Sequence, residues 1–401
     1  MKKCLMVACL LAVMVGTAMG ADDRVSASKK GSLLIYSKVE LRWDDTGALI
    51  QDTILDITND ANEGVYVQFY FINGDEPLDE VVVGDPPTVI ERAHPGWNWV
   101  DAQAWLTPNQ PMYWSANTGL PFGVQPWPSA LDPGDPPGRP DPFVPGERML
   151  RGYVVAWAVN AAGEEIEHNH LKGDAMLVNY ANSAAWEYNA YSFTALNVVI
   201  DGVLNLDGAE YDYAPSRLLL DFYAVGAELS SGAESVIVTD TDLTLYPVDA
   251  DLRQEGTPVT TKAKADIWNM NEFRLSGTER CITCWDQTLM ANWMNGGAGN
   301  NWVLGNLQTN KGKARIDGVA HAPCVAADYA ILGVAAKVLD FAGETAYAGS
   351  TMSLQGTEAA TITWDIIDGP EGLNEVFESK DYSVAPQPAF TPAKAAFGAR
   401  R

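Results

Sequence analysis

The sequence predicts an all-β protein of two β-sandwich domains, Ig-like or jelly-roll-like, with a proline- and tryptophan-rich insert in the first. Three observations predict it. Short runs rich in Val, Ile, Thr, Tyr and Phe recur along the chain. Clusters of Gly, Asn, Asp and Pro separate them at hairpin-like spacing. No heptads and no long apolar stripe of helical period are present to build a bundle. Many short strands divided by turns pack as sandwiches.

Residues 1–20 read as a signal peptide. Lys2 and Lys3 form its basic start, and residues 4–15 are apolar. Ala18 and Gly20 put small residues at the cleavage-determining positions, so the mature chain is expected to start at Ala21. The apolar run is shorter than the roughly 20 residues a helix needs to span a bilayer, and no later stretch is long enough. The expected location is extracytoplasmic: periplasm, cell surface or fully secreted.

The first domain is expected over residues 31–225. Residues 33–36, 39–43, 49–58 and 65–72 read as strands. Asn59, Asp60, Asn62 and Gly64 supply turn chemistry between the last two, because Asn and Asp bond their own backbone and Gly takes positive φ. The insert, residues 73–147, is proline-dense and holds Trp97, Trp99, Trp105, Trp114 and Trp127, five of 13 tryptophans. Its DPGDPPG run can be neither helix nor central strand. Residues 105–110, WLTPNQ, read as a strand ending in a turn. Residues 148–180 read as a β-meander: a strand over 152–159, a turn, an extended run over 165–170, a Gly173-Asp174 corner and a strand over 175–180. Strands are also expected over 184–195, 198–206 and 218–225.

A Gly/Ser/Ala-rich stretch, residues 226–234, marks the expected boundary. The second domain is expected over residues 235–369, with strands at 236–239, 243–247, 264–268, 272–276, 313–319 and 359–367. Residues 330–339 fit either a buried strand or a short helix. The Pro/Ala-rich tail, residues 370–401, is expected to be disordered.

The net charge of −26 makes nucleic acid and anionic lipid poor partners. Of five cysteines, Cys4 and Cys9 fall in the leader. In an oxidising compartment Cys324 is expected to pair with Cys281 or Cys284, leaving one thiol over. The CITC motif lacks the His of a haem attachment site and the second CxxC of a zinc site.

Several blocks together resemble a family of exported bacterial β-rich hypothetical proteins. They are QDTILDITND, VYVQFYFINGD, WLTPNQP, GYVVAWAVN and HNHLKGDAMLVNYANSAAWEYNAYSF, over residues 54–193. The opening hairpin, the LTPNQ turn and the NxLxGD corner carry the resemblance. DIWNMNEFRLSGTERCITCW and NLQTNKGKARIDG resemble a second module that accompanies some members. The resemblance implies export and a β-rich fold, and it implies no activity.

Three places invite chemistry. The insert's five tryptophans form either a sugar-stacking platform or an apolar cover over one end of a sandwich. His168 and His170, two apart on an extended run, share a face. They would chelate a metal if further ligands converged, and otherwise they only flank a sheet edge. Asp207, Glu210 and Asp212, and separately Asp240, Asp242, Asp249 and Asp251, form oxygen-rich clusters that suit calcium or simply face solvent. No other cofactor is expected. No GxSxG, HExxH, P-loop or dinucleotide motif is present, and no catalytic residue is singled out. The sequence therefore favours a non-enzymatic structural or binding protein, with a polysaccharide or another cell-surface protein as partner. The alternatives are a carbohydrate-binding module using the insert and an extracellular hydrolase with a carboxylate pair.

Overall fold

The structure is a computed structural model and describes residues 29–79, 81–91, 99–119, 138–142, 144–230, 235–253, 259–293, 302–319, 324, 329–365 and 376–377. It is nearly all β. The strands begin with β1 (Leu33–Asp44), β2 (Leu49–Asn59), β3 (Val65–Asn73), β4 (Val81–Val83), β5 (Thr88–Glu91), β6 (Trp99–Leu106), β7 (Pro111–Ser115), β8 (Arg139–Pro140), β9 (Glu147–Val159), β10 (Leu171–Asn179), β11 (Ala184–Asn189) and β12 (Tyr191–Phe193). They continue with β13 (Val203–Leu206), β14 (Arg217–Tyr223), β15 (Glu228–Ser230), β16 (Val236–Pro247), β17 (Ala250–Asp251), β18 (Thr260–Asn269), β19 (Arg274–Thr283) and β20 (Asp286–Leu289). β21 (Lys311–Val319), β22 (Ile331–Phe341), β23 (Glu344–Thr351), β24 (Ser353–Gln355), β25 (Ala360–Thr363) and β26 (Val376–Phe377) complete them. Among the described residues, no helix is long and apolar enough to cross a membrane.

The first sheet runs β11-β10-β2-β1-β9-β3-β6-β26, with β12 on β1, β7 on β2 and β8 on β9. β1 meets β2 only at Arg42↔Gln51 and Trp43↔Leu49, across a register shift. That corner lets the sheet turn over, so that Leu55, Ile57 and Leu177 meet Phe69, Val154 and Leu41 in one core. β3 and β9 are apolar on both faces, and the reason is a second core. β9 sends Val154, Ala156 and Ala158 into the first and Tyr153, Val155, Trp157 and Val159 into the second. There they meet Leu204, Tyr211, Tyr246, Trp285, Leu332, Ile362 and Trp364. A third core lies between the sheet β19-β18-β21-β14-β24 and the sheet built on β16 and β22.

Several expectations need correction. The pairing does not change hands at residues 226–234. β13 pairs β25 and β14 pairs β21, so residues 203–223 belong with the second half rather than with 31–225. Besides the first and third cores, the two halves share the second, because β1, β3 and β9 carry apolar residues on both faces. Within the insert 73–147, β6, β7 and β8 are strands of the first sheet, and residues 120–137 lie outside the described residues. The extended run 165–170 forms only a bridge at Val159↔Glu165, since the His168 N–H donates to the Ser32 hydroxyl instead of to a strand. In the tail, Val376–Phe377 pairs in parallel with Gln103 and Ala104.

The cysteine expectation holds. Cys281 on β19 is bonded to Cys324, with their Cα atoms 5.6 Å apart. Cys284 is free. Burial, and then the nearby charge of Asp75, push its thiol up to about 12.

A charged seam runs along β1 where it faces the second half. An irregularity between Tyr36 and Val39 changes which side the alternate residues face. Past it, Val39, Leu41 and Trp43 enter the first core while Lys38, Glu40 and Arg42 meet other charges. Lys38 pairs with Asp242 of β16 and lies 3.1 Å from Glu40. Arg42 pairs with Glu40 at 3.1 Å, with Glu147 at 3.1 Å and with Asp141. Gln287 donates to Asp242 at 2.9 Å and accepts from Arg151 at 3.0 Å. Burial opposes the charge on Glu40, yet Lys38, Arg42 and Arg151 outweigh it and hold its carboxyl at about 2.

These groups set a pH dependence. Burial raises Asp52, Asp101, Glu165, Glu210 and Asp240 above the usual carboxylate range. A carboxyl raised in the folded state binds protons more tightly folded than unfolded. Its stabilisation is complete below the unfolded value, about 4, and is lost as pH rises through the folded value. Glu40 runs the other way: its contribution is present above about 4.5 and lost as pH falls toward 2. The five raised carboxyls are therefore expected to lower the urea midpoint between pH 5 and pH 8, and loss of the Glu40 charge to lower it gradually as pH falls below about 4.5. A midpoint that climbs steadily from pH 5 to pH 8 would contradict the assignment.

Candidate functional site

The outer face of the sheet β19-β18-β21-β14-β24 carries a pocket of about 450 Å³. Strand alternation builds it. Leu218, Leu220, Ala314, Ile316 and Ile267 point into the third core, so their neighbours point out. Arg217 and Leu219 of β14, Trp268 of β18, Lys313 and Arg315 of β21 and Gln355 of β24 line the pocket, joined by Asn269 and Glu272. The register sets the side chains in rows. Trp268 lies opposite Lys313 and Asp266 opposite Arg315, while on the other side Leu219 faces Arg315 and Arg217 faces both Asp317 and Gln355.

Most charges in these rows neutralise one another. Asp266 is buried below the pocket, with Arg274 at 2.6 Å and Arg315 at 2.5 Å from its two oxygens. Burial alone would raise its carboxyl, but the two guanidinium groups prevail and hold it below its usual range. The same arginines lie over the Trp268 ring, 5.9 and 5.5 Å from its centroid. Arg217 pairs with Asp317, which lies 3.2 Å from Arg315. The β18–β19 turn closes one side. Asn269 accepts from the backbone N–H of Asn271 at 3.0 Å and of Phe273 at 3.1 Å, and donates to the Leu307 carbonyl at 3.2 Å. Glu272 takes positive φ in this turn, at 61°. Met270 and Phe273 are each 64 % exposed beside it. The result is a wall of charged side chains and amides with an apolar rim, an arrangement that suits recognition.

The residues singled out by sequence lie elsewhere. Trp114 is 1 % exposed, packed at 4.8 Å on Phe71 and 5.4 Å on Phe69, so it has no face for a sugar. Trp105 is half-buried against Tyr66 at 4.5 Å and lies under Gly64, where an added Cβ would come within 2.3 Å of the indole. Trp99 begins β6, and Trp97 and Trp127 lie outside the described residues. Trp114 is thus enclosed by the fold, and Trp105 packs on Tyr66 with part of its surface open.

His168 and His170 do stand close, with ring centroids 5.3 Å apart. Burial lowers the affinity of His168 for a proton, and its Nε2 lies 3.0 Å from Asn59 Oδ1. Asn59 Oδ1 can only accept, so Nε2 carries hydrogen and offers no lone pair to a metal. His170 instead sits 3.1 Å from Asp60 at the surface. The calcium candidates are also engaged. Asp207 caps the N–H groups of Ala209 and Glu210, Asp212 accepts from Thr194, and Asp240 accepts from Thr241 and Ala291. Asp242 belongs to the seam, Asp249 accepts from Thr361, and Asp251 pairs with Arg253. Among the described residues, no group of three or more His, Cys, Asp and Glu side chains is arranged to hold a metal.

Sequence reasoning missed the pocket. A local signal was present in KGKARID, which alternates charged with small or apolar residues. Nothing in that stretch says that it lies beside Trp268.

No family model and no curated protein matches the chain. The crystal structure of the CupB6 tip adhesin from Pseudomonas aeruginosa aligns with 85 % of this chain and 94 % of its own at 9 % identity, with a TM-score of 0.11. A likeness at that score carries no argument about fold or role.

Proposed function

We propose that the protein is an exported binding protein whose pocket on the outer face of the β18–β21–β14 sheet receives a glycan. One observation carries this reading. A volume of about 450 Å³ is bounded by an indole, three cationic side chains, two amides and a carboxylate contributed by one sheet face and the β18–β19 turn beside it. Pockets of roughly 300–1,000 Å³ with a few converging polar groups are typical of small-ligand sites. The Cys281–Cys324 bond supports export, since such bonds persist in oxidising compartments. The signal-like residues 1–20 support it as well. This reading moves the sugar-binding role from the insert to the second half.

A glycan array on the purified protein tests it. Binding is expected to one class of glycan, to fall at least tenfold in Trp268→Ala and to persist in Trp105→Ala. No signal for any glycan, or signal indifferent to Trp268→Ala, would remove the pocket from the account.

A further inference from the structure

We propose that the glycan is anionic and that its carboxylate or sulfate group is met by Lys313. This rests on the pocket reading above and names the ligand class it takes.

The charge pattern of the sheet face carries the inference. Three cations line the pocket: Arg217, Lys313 and Arg315. Two are already matched, Arg217 by Asp317 and Arg315 by Asp266 and Asp317. Lys313 is not. Its cross-strand neighbours are Trp268 on one side and Asp221 on the other, and Asp221 is taken by Lys311 at 3.0 Å. Lys313 is exposed, and among the described residues no ion-pair partner reaches it. An ammonium group has three donors and no acceptor, so an anion is its natural partner. Arg217 also keeps donors beyond the one given to Asp317, because a guanidinium carries five.

The other lining groups favour a ligand larger than a bare inorganic anion. Glu272 would repel such an ion, and Trp268, Leu219 and Gln355 would go uncontacted. A saccharide engages all of them. Its hydroxyls donate to Glu272 and bond Gln355, its C–H face lies along Trp268 and Leu219, and its acidic group faces Lys313. The whole chain carries −26 and repels an anion at long range. Capture therefore depends on contacts inside one Debye length, about 8 Å at physiological salt, where the pocket's own cations dominate.

The test uses calorimetric titration of the full-length mature protein with three probes: an oligouronate, its methyl ester and a sulfated oligosaccharide. The ester keeps the shape and removes the charge. Binding of the oligouronate or of the sulfated probe is expected, at least tenfold tighter than the ester. Lys313→Gln is expected to weaken the acidic ligand at least tenfold and the ester by a clearly smaller factor. Lys313 is exposed, so the variant should fold as the parent does, which thermal unfolding checks. Which acidic probe binds more tightly tells carboxylate from sulfate. Equal affinity for ester and oligouronate, or acidic binding indifferent to Lys313→Gln, overturns the anionic assignment and leaves the pocket reading standing. Failure of every probe, with neutral glycans bound on the array in a Trp268-dependent way, also overturns it. Failure of every glycan overturns both.

Discussion

Replacing Lys38 by methionine is expected to lower the unfolding free energy by about 3–5 kcal/mol, the usual cost of removing one partner from a buried ion pair. Lys38 is 2 % exposed and Glu40 3 % exposed. Burial opposes the charge on Lys38, but Asp242 and Glu40 outweigh it and raise its affinity for the proton. Methionine fills a similar volume and makes no compensating charge, so Glu40 and Asp242 would stay buried facing one another. Much of the loss is the penalty on those two carboxylates. The triple variant Lys38→Met, Glu40→Gln, Asp242→Asn should therefore recover most of it, a non-additivity that a mutant cycle measures directly. Urea unfolding at pH 7 is the measurement. A Lys38→Met loss below 1 kcal/mol would show that water reaches the seam and that it does not tie the halves together.

Breaking the disulfide is expected to cost about 4 kcal/mol, the chain-entropy value for a loop of this length. The bond closes residues 281 to 324, a separation of 43. It anchors β19, which lies at the end of its sheet and pairs only with β18. Cys281→Ser and reduction of the parent should give the same loss in denaturant midpoint. The buried Cys284 thiol, held up at about 12, forms almost no thiolate near neutral pH and should not take the place of Cys281. Peptide mapping without reductant checks this: a Cys284–Cys324 peptide in Cys281→Ser would contradict it. Equal stability of parent and Cys281→Ser would mean that β19 is held by pairing alone.

What could be read before the fold was known came from local physics. The Thr107 hydroxyl and N–H both bond Gln110 Oε1, at 2.8 and 2.7 Å, and Asn109 takes positive φ, as the LTPNQ turn requires. Strands β9, β10 and β11 formed where local composition favours extended backbone, but β1 and β2 lie between β9 and β10, so residues 148–180 make no meander. The all-β class and the choice of Cys324 as a disulfide partner belong to the same kind of inference.

Only the tertiary structure decided which strands meet. Residues 203–223 look like the end of the first half, yet β14 pairs with a strand nearly a hundred residues later. Backbone pairing is blind to sequence distance, and no local signal marks a long-range partner. The doubly apolar faces of β3 and β9 did carry a hint, since a strand open to water on one side alternates. The pocket lay beyond reach for the same reason: Trp268, Lys313 and Arg217 become neighbours through register alone. A side chain's type is written in the chain, whereas the unmatched charge on Lys313 exists only once strand order has assigned Asp221 to Lys311.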